Sequence, residues 1–184
     1  KTKASAKLLQ ARLNEDPFYG VRIAAARALA EHENDDAHKI LQASWKSQDD
    51  ARVRSDVVRA MLRPFKPGTL ENALSVLDME GNPAIKTSAI RALAKFHGEP
   101  SRTKLVELLD SKSFGNELLS AASSAIDQQN DPFYAEPLMK MMASRGSELR
   151  TRTLARAIGT LGQITKDTDQ EGEAYDLILS YLQH

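Results

Sequence analysis

The sequence predicts an all-α protein, a right-handed α-solenoid of about five helix pairs and a final helix. Alternating runs of Val, Ile, Thr and Tyr and Asn-Gly turns, which are typical of strands and hairpins, are almost absent from the 184 residues. Apolar residues instead recur at helical spacing in short segments that are separated by turn-forming residues. One of these apolar patterns then occurs five times along the chain, which is the mark of a repeat architecture.

The repeated pattern centres on an alanine, which follows an arginine in four of the five copies. These alanines are Ala28, Ala60, Ala92, Ala125 and Ala157, and they lie 32 or 33 residues apart. Around each alanine, apolar residues at i, i+4, i+7 and i+8 form one stripe on a helix, except that the fifth copy has Arg150 at i. Because one helix pair cannot bury such a stripe alone, successive pairs should stack.

Partner helices with apolar stripes of their own lie between these copies. The partner stripes are Leu8/Leu9/Leu13, Ile40/Leu41/Trp45, Leu70/Leu74/Leu77, Leu105/Leu108/Leu109 and Leu138/Met141/Met142, and a last stripe, Tyr175/Ile178/Leu179/Leu182, has no successor. The sequence therefore predicts a single repeat domain over residues 1–184, with helix pairs at about 5–33, 35–64, 68–97, 100–129 and 135–163 and a last helix at about 170–183.

Each unit has two helices, a Val-Arg opening and an Arg-Ala-Leu core segment, and so resembles the HEAT-like repeats. Tetratricopeptide repeats would need recurring Trp, Gly-Tyr and late Pro residues, but the only tryptophan is Trp45. Ankyrin repeats would need the string TPLHxA, which is absent. We therefore expect a HEAT-like superhelix.

The string DPFY occurs at residues 16–19 and again at 131–134. This separation is not a multiple of the repeat, so the two copies occupy different places in it. We expect Asp16 to cap the following helix, with Pro17 in its first turn. The helix after the second copy should begin near Pro137, because a proline deeper inside would break it.

Charge and composition limit the classes of partner. The 25 basic residues balance the 25 acidic ones, whereas proteins that bind nucleic acid usually carry a clear basic excess. No apolar stretch is long enough for a membrane span. The absence of cysteine excludes disulfides, thiolate zinc sites and cysteine nucleophiles. These observations favour a protein or peptide partner and do not indicate a compartment.

Motifs that carry catalysis are missing, since HExxH, GxSxG, P-loop and GxGxxG patterns do not occur. His32 and His38 flank the acidic segment 33–37, which together could supply metal ligands, but a polar turn with a helix cap uses the same residues and is favoured. His97, just before Gly98, should cap a helix C-terminus. The sequence therefore predicts no catalytic residue, metal ligand or cofactor in this chain, and hence no enzyme.

Basic residues recur at the edge of the apolar stripe, one position after i. They are Arg22, Arg54 and Lys86. At this position the aliphatic stem covers the core while the charge pairs with a loop acid such as Asp16, Asp49 or Asp50. We expect these residues to be structural.

A second row of basic residues lies on the far side of the same helices, six positions after i. The row consists of Arg27, Arg59, Arg91 and Arg156. In HEAT-like stacks this side faces the concave groove, where Arg59, Arg63, Arg91 and Lys95 would form a basic patch. The patch would bind an acidic peptide, a carboxylate terminus or a neighbouring domain, unless it is simply a solvated face.

The blocks DPFYGVRIAAARAL and DDARVRSDVVRAM resemble the C-terminal helical domain of zinc aminopeptidases of the aminopeptidase N family, over about residues 8–62. The resemblance implies a non-catalytic scaffold at the end of a larger chain, packed against the catalytic domain of that chain. The opening on Lys1 and the apolar last helix suggest such a cut. Zinc and its HExxH motif would belong to the upstream part, and no catalytic residue is carried over to these positions.

The alternative is a free-standing HEAT-repeat adaptor that binds a protein partner in its concave groove. HEAT-like bilin lyases and DNA-alkylation-repeat glycosylases form a third class. The neutral charge and the lack of a catalytic carboxylate pair count against this class.

Overall fold

The chain is built of α-helices in a computed structural model that describes residues 2–32, 34–64 and 67–182. Within those residues there are eleven α-helices and no strand. In chain order the helices are α1 Lys3–Glu15, α2 Tyr19–Ala30, α3 Asp35–Ser44, α4 Ala51–Met61, α5 Pro67–Met79, α6 Pro83–Leu93, α7 Glu99–Leu109, α8 Glu117–Gln129, α9 Ala135–Arg145, α10 Thr151–Ile164 and α11 Glu171–Leu182. The predicted all-α class, with five helix pairs and a final helix, is confirmed.

The helices form two compact units, Lys1–Ala92 and Leu93–His184. In the first unit α1 packs against α2 and α3 against α4, while α1 also contacts α3 and α2 contacts α4. In the second unit α7 packs against α8 and α9 against α10, α7 contacts α9, α8 contacts α10, and α11 packs on both α9 and α10. Equivalent helices of successive pairs therefore stack side by side in each unit, as in a solenoid.

The apolar stripes predicted for α4, α6 and α8 form the core, whereas Val21, the first residue of the stripe predicted for α2, is 37% exposed. Val53, Val57 and Met61 of α4 are completely buried. The corresponding residues of α6 and α8 are buried as well; they are Ile85, Ala89, Ala92 and Leu93, and Leu118, Ala122, Ala125 and Ile126. The period of the sequence therefore predicts correctly which side of these helices is inside.

Some predicted stripe residues lie at the surface instead. Leu8 is 61% exposed, because α1 turns Ala6 and Leu13 inwards. Tyr175 and Leu182 of α11 are exposed, and the buried residue of that helix is Ala174. In α10 the buried side shifts to Thr153, Ala157, Thr160, Leu161 and Ile164.

The two DPFY strings form the same local turn at different places in the repeat. Asp16 does not cap α2; it ends α1, and its Oδ1 accepts a hydrogen bond from the Phe18 amide at 3.0 Å. Asp131 likewise accepts from the Phe133 amide at 3.0 Å and opens a 3-10 turn. Helix α9 then begins at Ala135, so that Pro137 lies within its first turn, where no intrahelical N–H bond is lost.

Asn130 ends α8 in the left-handed conformation, with φ 48° and ψ 49°. This conformation costs most residues about 1–2 kcal/mol, whereas glycine adopts it freely and asparagine tolerates it. We therefore expect Asn130→Ala to lower the free energy of unfolding by about 1 kcal/mol and Asn130→Gly to leave it unchanged or raise it slightly. Urea denaturation measures both, and an alanine variant as stable as the glycine variant would contradict this account.

Candidate interaction surface

The far-side arginines of the first unit are exposed on successive second helices. Arg27 lies on α2, Arg59 on α4 and Arg91 on α6. Each is six positions after the first residue of its predicted stripe, and this spacing turns the guanidinium away from the core. The helical period thus places them at equivalent positions of three successive repeats.

An acid from the next repeat pairs with the first of these arginines. Arg27 Nε donates to Asp56 Oδ1 at 2.9 Å, and this hydrogen bond raises the pKa of the Arg27 guanidinium. Arg59 lies one turn after Asp56 on α4 and approaches the same oxygen at 3.7 Å. Asp56 is therefore shared between two arginines and balances only one of their two charges.

Arg63 is paired across the repeats as well. Its guanidinium donates to Glu31, at the end of α2, and both side chains are more than half exposed. The two residues are separated by one repeat in the sequence. This pairing lowers the net positive charge that the sequence predicts for the patch.

Arg91 and Lys95 have a different environment from Arg59 and Arg63. Both are exposed, and neither forms an ion pair with another described residue. The position that holds Asp56 in the second repeat is Ser88 in the third, so the acid that would face Arg59 from the next repeat is missing. Lys95 belongs to the second compact unit. The first unit thus carries Arg59, Arg63 and Arg91, and their role in binding stays a prediction.

The arginines at the edge of the stripe pair with loop acids, as predicted, and these acids belong to the following repeat. Arg22 donates to Asp49 Oδ1 at 3.0 Å. Arg54 donates to Glu80 Oε2 at 2.8 Å and to the backbone carbonyls of Gln48 and Asp49 at 2.9 and 3.1 Å. These residues therefore act in packing between repeats.

Glu80, the partner of Arg54, is an acid that sequence reasoning missed. It is 7% exposed, and its Oε1 also accepts a hydrogen bond from the Asn82 amide at 2.9 Å. Burial opposes its ionisation most strongly, but the hydrogen bonds from Arg54 and from the Asn82 amide together outweigh burial, so the pKa of Glu80 is lowered. A buried, ionised carboxylate thus fixes the turn between α5 and α6 to α4.

Of the two histidines in the predicted segment, His38 contacts α5 in the region described. Asn34 caps α3 by accepting from the Ala37 amide at 2.8 Å, and His38 Nε2 lies 3.3 Å from Asn72 Nδ2 of α5. Glu33, one of the acids in the predicted segment, lies outside the described residues. In the remainder no group of three or more His, Asp or Glu residues is placed to hold a metal ion.

A pocket of about 280 Å³ opens where α2 and α4 end and α3 begins. Leu29, Leu41 and Ala60 line its apolar part, and His38 and Arg63 lie at its polar side. An apolar recess thus lies directly beside one of the predicted binding residues. The sequence could not indicate it, because periodicity predicts which residues are inside but not where they leave a gap.

The first part of the chain is similar to a known family of repeats. No helix in the described part of the chain has the length and apolar character needed to span a bilayer. No curated protein matches the chain, and the resemblance to zinc aminopeptidases receives no support from these comparisons. Residues 1–63, which contain α1 to α4, match the family of HEAT repeats, a type of repeat that generally mediates interactions between proteins.

Proposed function

We propose that this chain is a non-catalytic HEAT-like scaffold whose first unit binds an acidic segment of a protein partner. The observation that carries this proposal is the pair Arg59 and Arg91. Both are exposed at equivalent positions of successive repeats, and Ser88 replaces the acid that balances Arg27 one repeat earlier. Two cations at such positions provide regularly spaced binding points for carboxylates.

The spacing of the repeats defines the partner further. Stacked helices are separated by about 8–10 Å, a distance that an extended peptide in the polyproline II conformation covers in one turn of three residues. Acidic side chains three positions apart would therefore meet Arg59 and Arg91 together. Because exposed ion pairs contribute only about 0.2–1 kcal/mol each, binding should be moderate in affinity and weaken with salt.

The test uses the full chain and a fluorescent extended peptide with glutamate at every third position. We expect the double variant Arg59→Glu and Arg91→Glu to bind this peptide at least about tenfold more weakly, a loss of about 1.4 kcal/mol. The matched control is the double variant Lys39→Glu and Lys112→Glu, which changes the net charge equally at two other exposed lysines. We expect less than about a twofold effect from the control. Equal losses in both variants would show that only overall charge matters, and the patch would be refuted.

The origin of the acidic segment separates the two forms of the proposal. If the aminopeptidase resemblance holds, the segment belongs to the catalytic domain of the same, longer chain, and zinc is a cofactor of that domain. If the chain is a free-standing adaptor, the segment belongs to another protein. The reading frame upstream of Lys1 decides between them. HExxH with a later Glu supports the first form, and a start codon at or near Lys1 supports the second.

A further inference from the structure

A second pocket, of about 390 Å³, lies in the second unit between α7 and α9. Its floor contains Leu109 and Met141, both of which are buried. Val106, Pro137 and the half-exposed ring of Phe133 form its apolar walls. A recess of this volume can hold a large side chain of a partner.

The wall formed by Phe133 is fixed in place before any partner arrives. The carboxylate of Asp131 holds the Phe133 amide, and the Arg102 guanidinium lies 5.1 Å from the ring centroid. The ring also meets Tyr134 edge to face, with centroids 5.3 Å apart. Tyr134 is completely buried. Binding against such a wall loses little conformational entropy.

The rim of this pocket carries net negative charge. Asp110, Glu136 and Lys140 line the pocket and are all exposed, and none of them forms an ion pair with another residue that the structure describes. Two other charged pairs lie nearby: Arg102 pairs with Asp131, and Lys104 pairs with Glu107. Two carboxylates against one ammonium group favour a cationic partner.

The loop that follows Asp110 presents one more apolar group. Phe114 is 94% exposed, and its Cα lies within about 14 Å of that of Asp110, because four residues of chain cannot reach further. The loop is held firmly: Arg145 donates to the carbonyl of Leu109 and to the side chain of Asn116, both at 3.0 Å. An exposed aromatic ring on a fixed backbone is typical of an interaction surface.

We propose that the pocket between α7 and α9 docks a basic, apolar segment of a protein partner. A leucine-like side chain enters between Met141 and Phe133, and neighbouring Lys or Arg residues of the partner meet Asp110 and Glu136. This site takes the opposite charge from the one proposed for the first unit. The two proposed sites can therefore be tested independently of each other.

The probe is a fluorescent peptide with a central Leu-Leu flanked by arginines, titrated with the full chain. We expect Glu136→Lys and Asp110→Lys each to weaken binding at least about fivefold, and Lys140→Glu to strengthen it about threefold, because the three changes act on one charged rim. All three residues are exposed, so the fold should persist, which thermal unfolding monitored by circular dichroism checks. Phe133→Ala should weaken binding at every salt concentration, since it removes an apolar wall.

Other results would overturn the proposal. A peptide with glutamates in place of the arginines that binds as tightly would remove the charge argument. Absence of binding by the basic peptide would refute the proposal. A Lys140→Glu variant that weakens binding, as Glu136→Lys is expected to do, would refute it as well. Self-association in sedimentation velocity that Phe114→Ala abolishes would identify a second copy of this chain as the occupant and would also refute it. In each case the Arg59 and Arg91 variants still test the first unit separately.

Discussion

Gln129→Ala is expected to lower the free energy of unfolding by about 2–4 kcal/mol, because it removes a buried amide that serves several groups. Gln129, at the end of α8, is 5% exposed. Its Nε2 donates to the carbonyls of Leu93 and Phe96 at 2.9 and 2.8 Å, and its Oε1 accepts from the hydroxyl of Tyr134. One side chain thus bonds to the end of α6 and to Tyr134, the last residue of the 3-10 turn before α9.

The groups that bond to Gln129 differ in the hydrogen-bond partners that they keep after the substitution. The Leu93 carbonyl keeps the Ser101 hydroxyl, which donates to it at 2.9 Å. The Tyr134 hydroxyl loses its acceptor in a fully buried position. Burial, together with the nearby charge of Asp131, raises the pKa of Tyr134, so at neutral pH its hydroxyl is protonated and needs an acceptor. Each buried polar group that loses its partner costs about 1–3 kcal/mol.

The neighbouring glutamine provides the matched control. Gln128 is exposed and donates only to the Ser124 carbonyl of its own helix. Urea denaturation should therefore show a change within about 0.5 kcal/mol for Gln128→Ala. Hydrogen exchange should show that Gln129→Ala lowers the protection of the backbone amides in α7 and α8. Equal effects of the two substitutions would show that the buried network does not stabilise the fold.

Glu80→Ala is expected to cost about 2–4 kcal/mol near neutral pH, because it leaves the partly buried guanidinium of Arg54 without its carboxylate. In this variant Arg54 still donates to two backbone carbonyls. The loss of stability is therefore smaller than for a buried charge with no partner. A double-mutant cycle with Arg54→Met measures the coupling between the two side chains. Since the pair is buried, the coupling should exceed that of an exposed pair.

The same substitution predicts a pH dependence. The folded-state pKa of Glu80 lies below its ordinary value of 4.5, so the ionised carboxylate adds stability above that pH. This contribution is lost as the pH falls through the folded-state pKa. The difference between the native chain and Glu80→Ala should therefore be largest at neutral pH and shrink below 4.5.

Glu71, on the helix α5 that precedes Glu80, provides the control for this prediction. It is exposed, so Glu71→Ala should change the unfolding free energy by less than about 0.5 kcal/mol at any pH between neutrality and mild acid. Urea denaturation at several pH values compares the two variants. If the loss for Glu80→Ala stays constant down to acid pH, the carboxylate charge is not the source of its stability.

The parts of the fold that follow from helical periodicity could be predicted from the sequence. Val53, Val57 and Met61 repeat at the spacing of one helix face, and they are buried. Leu8 and Tyr175 repeat in the same way but are exposed. A periodic pattern identifies an apolar face, but burial also requires a neighbouring helix on that side, and the pattern contains no information on the neighbour.

Contacts between repeats were harder to predict. His97 has the expected chemistry for a helix cap, yet α6 ends at Leu93 and its carbonyl is satisfied by Gln129, a residue far along the chain. The pairing of Arg63 with Glu31 was also missed, although these residues are one repeat apart. The usual rules for charge pairs consider residues three or four positions apart on one helix. In stacked repeats, residues that are one repeat period apart can form ion pairs as well.

The cross-repeat ion pairs also make the order of the repeats matter. Arg27 is balanced by Asp56 and Arg54 by Glu80, where the acid follows in the chain, whereas the partner of Arg63, Glu31, precedes it. A chain rearranged so that the third repeat directly followed the first would place Ser88 beside Arg27 and leave that charge unbalanced. Repeats with the same backbone are therefore not interchangeable in this chain. Exchanging or duplicating one of them would change the charge pattern on the surface that a partner contacts.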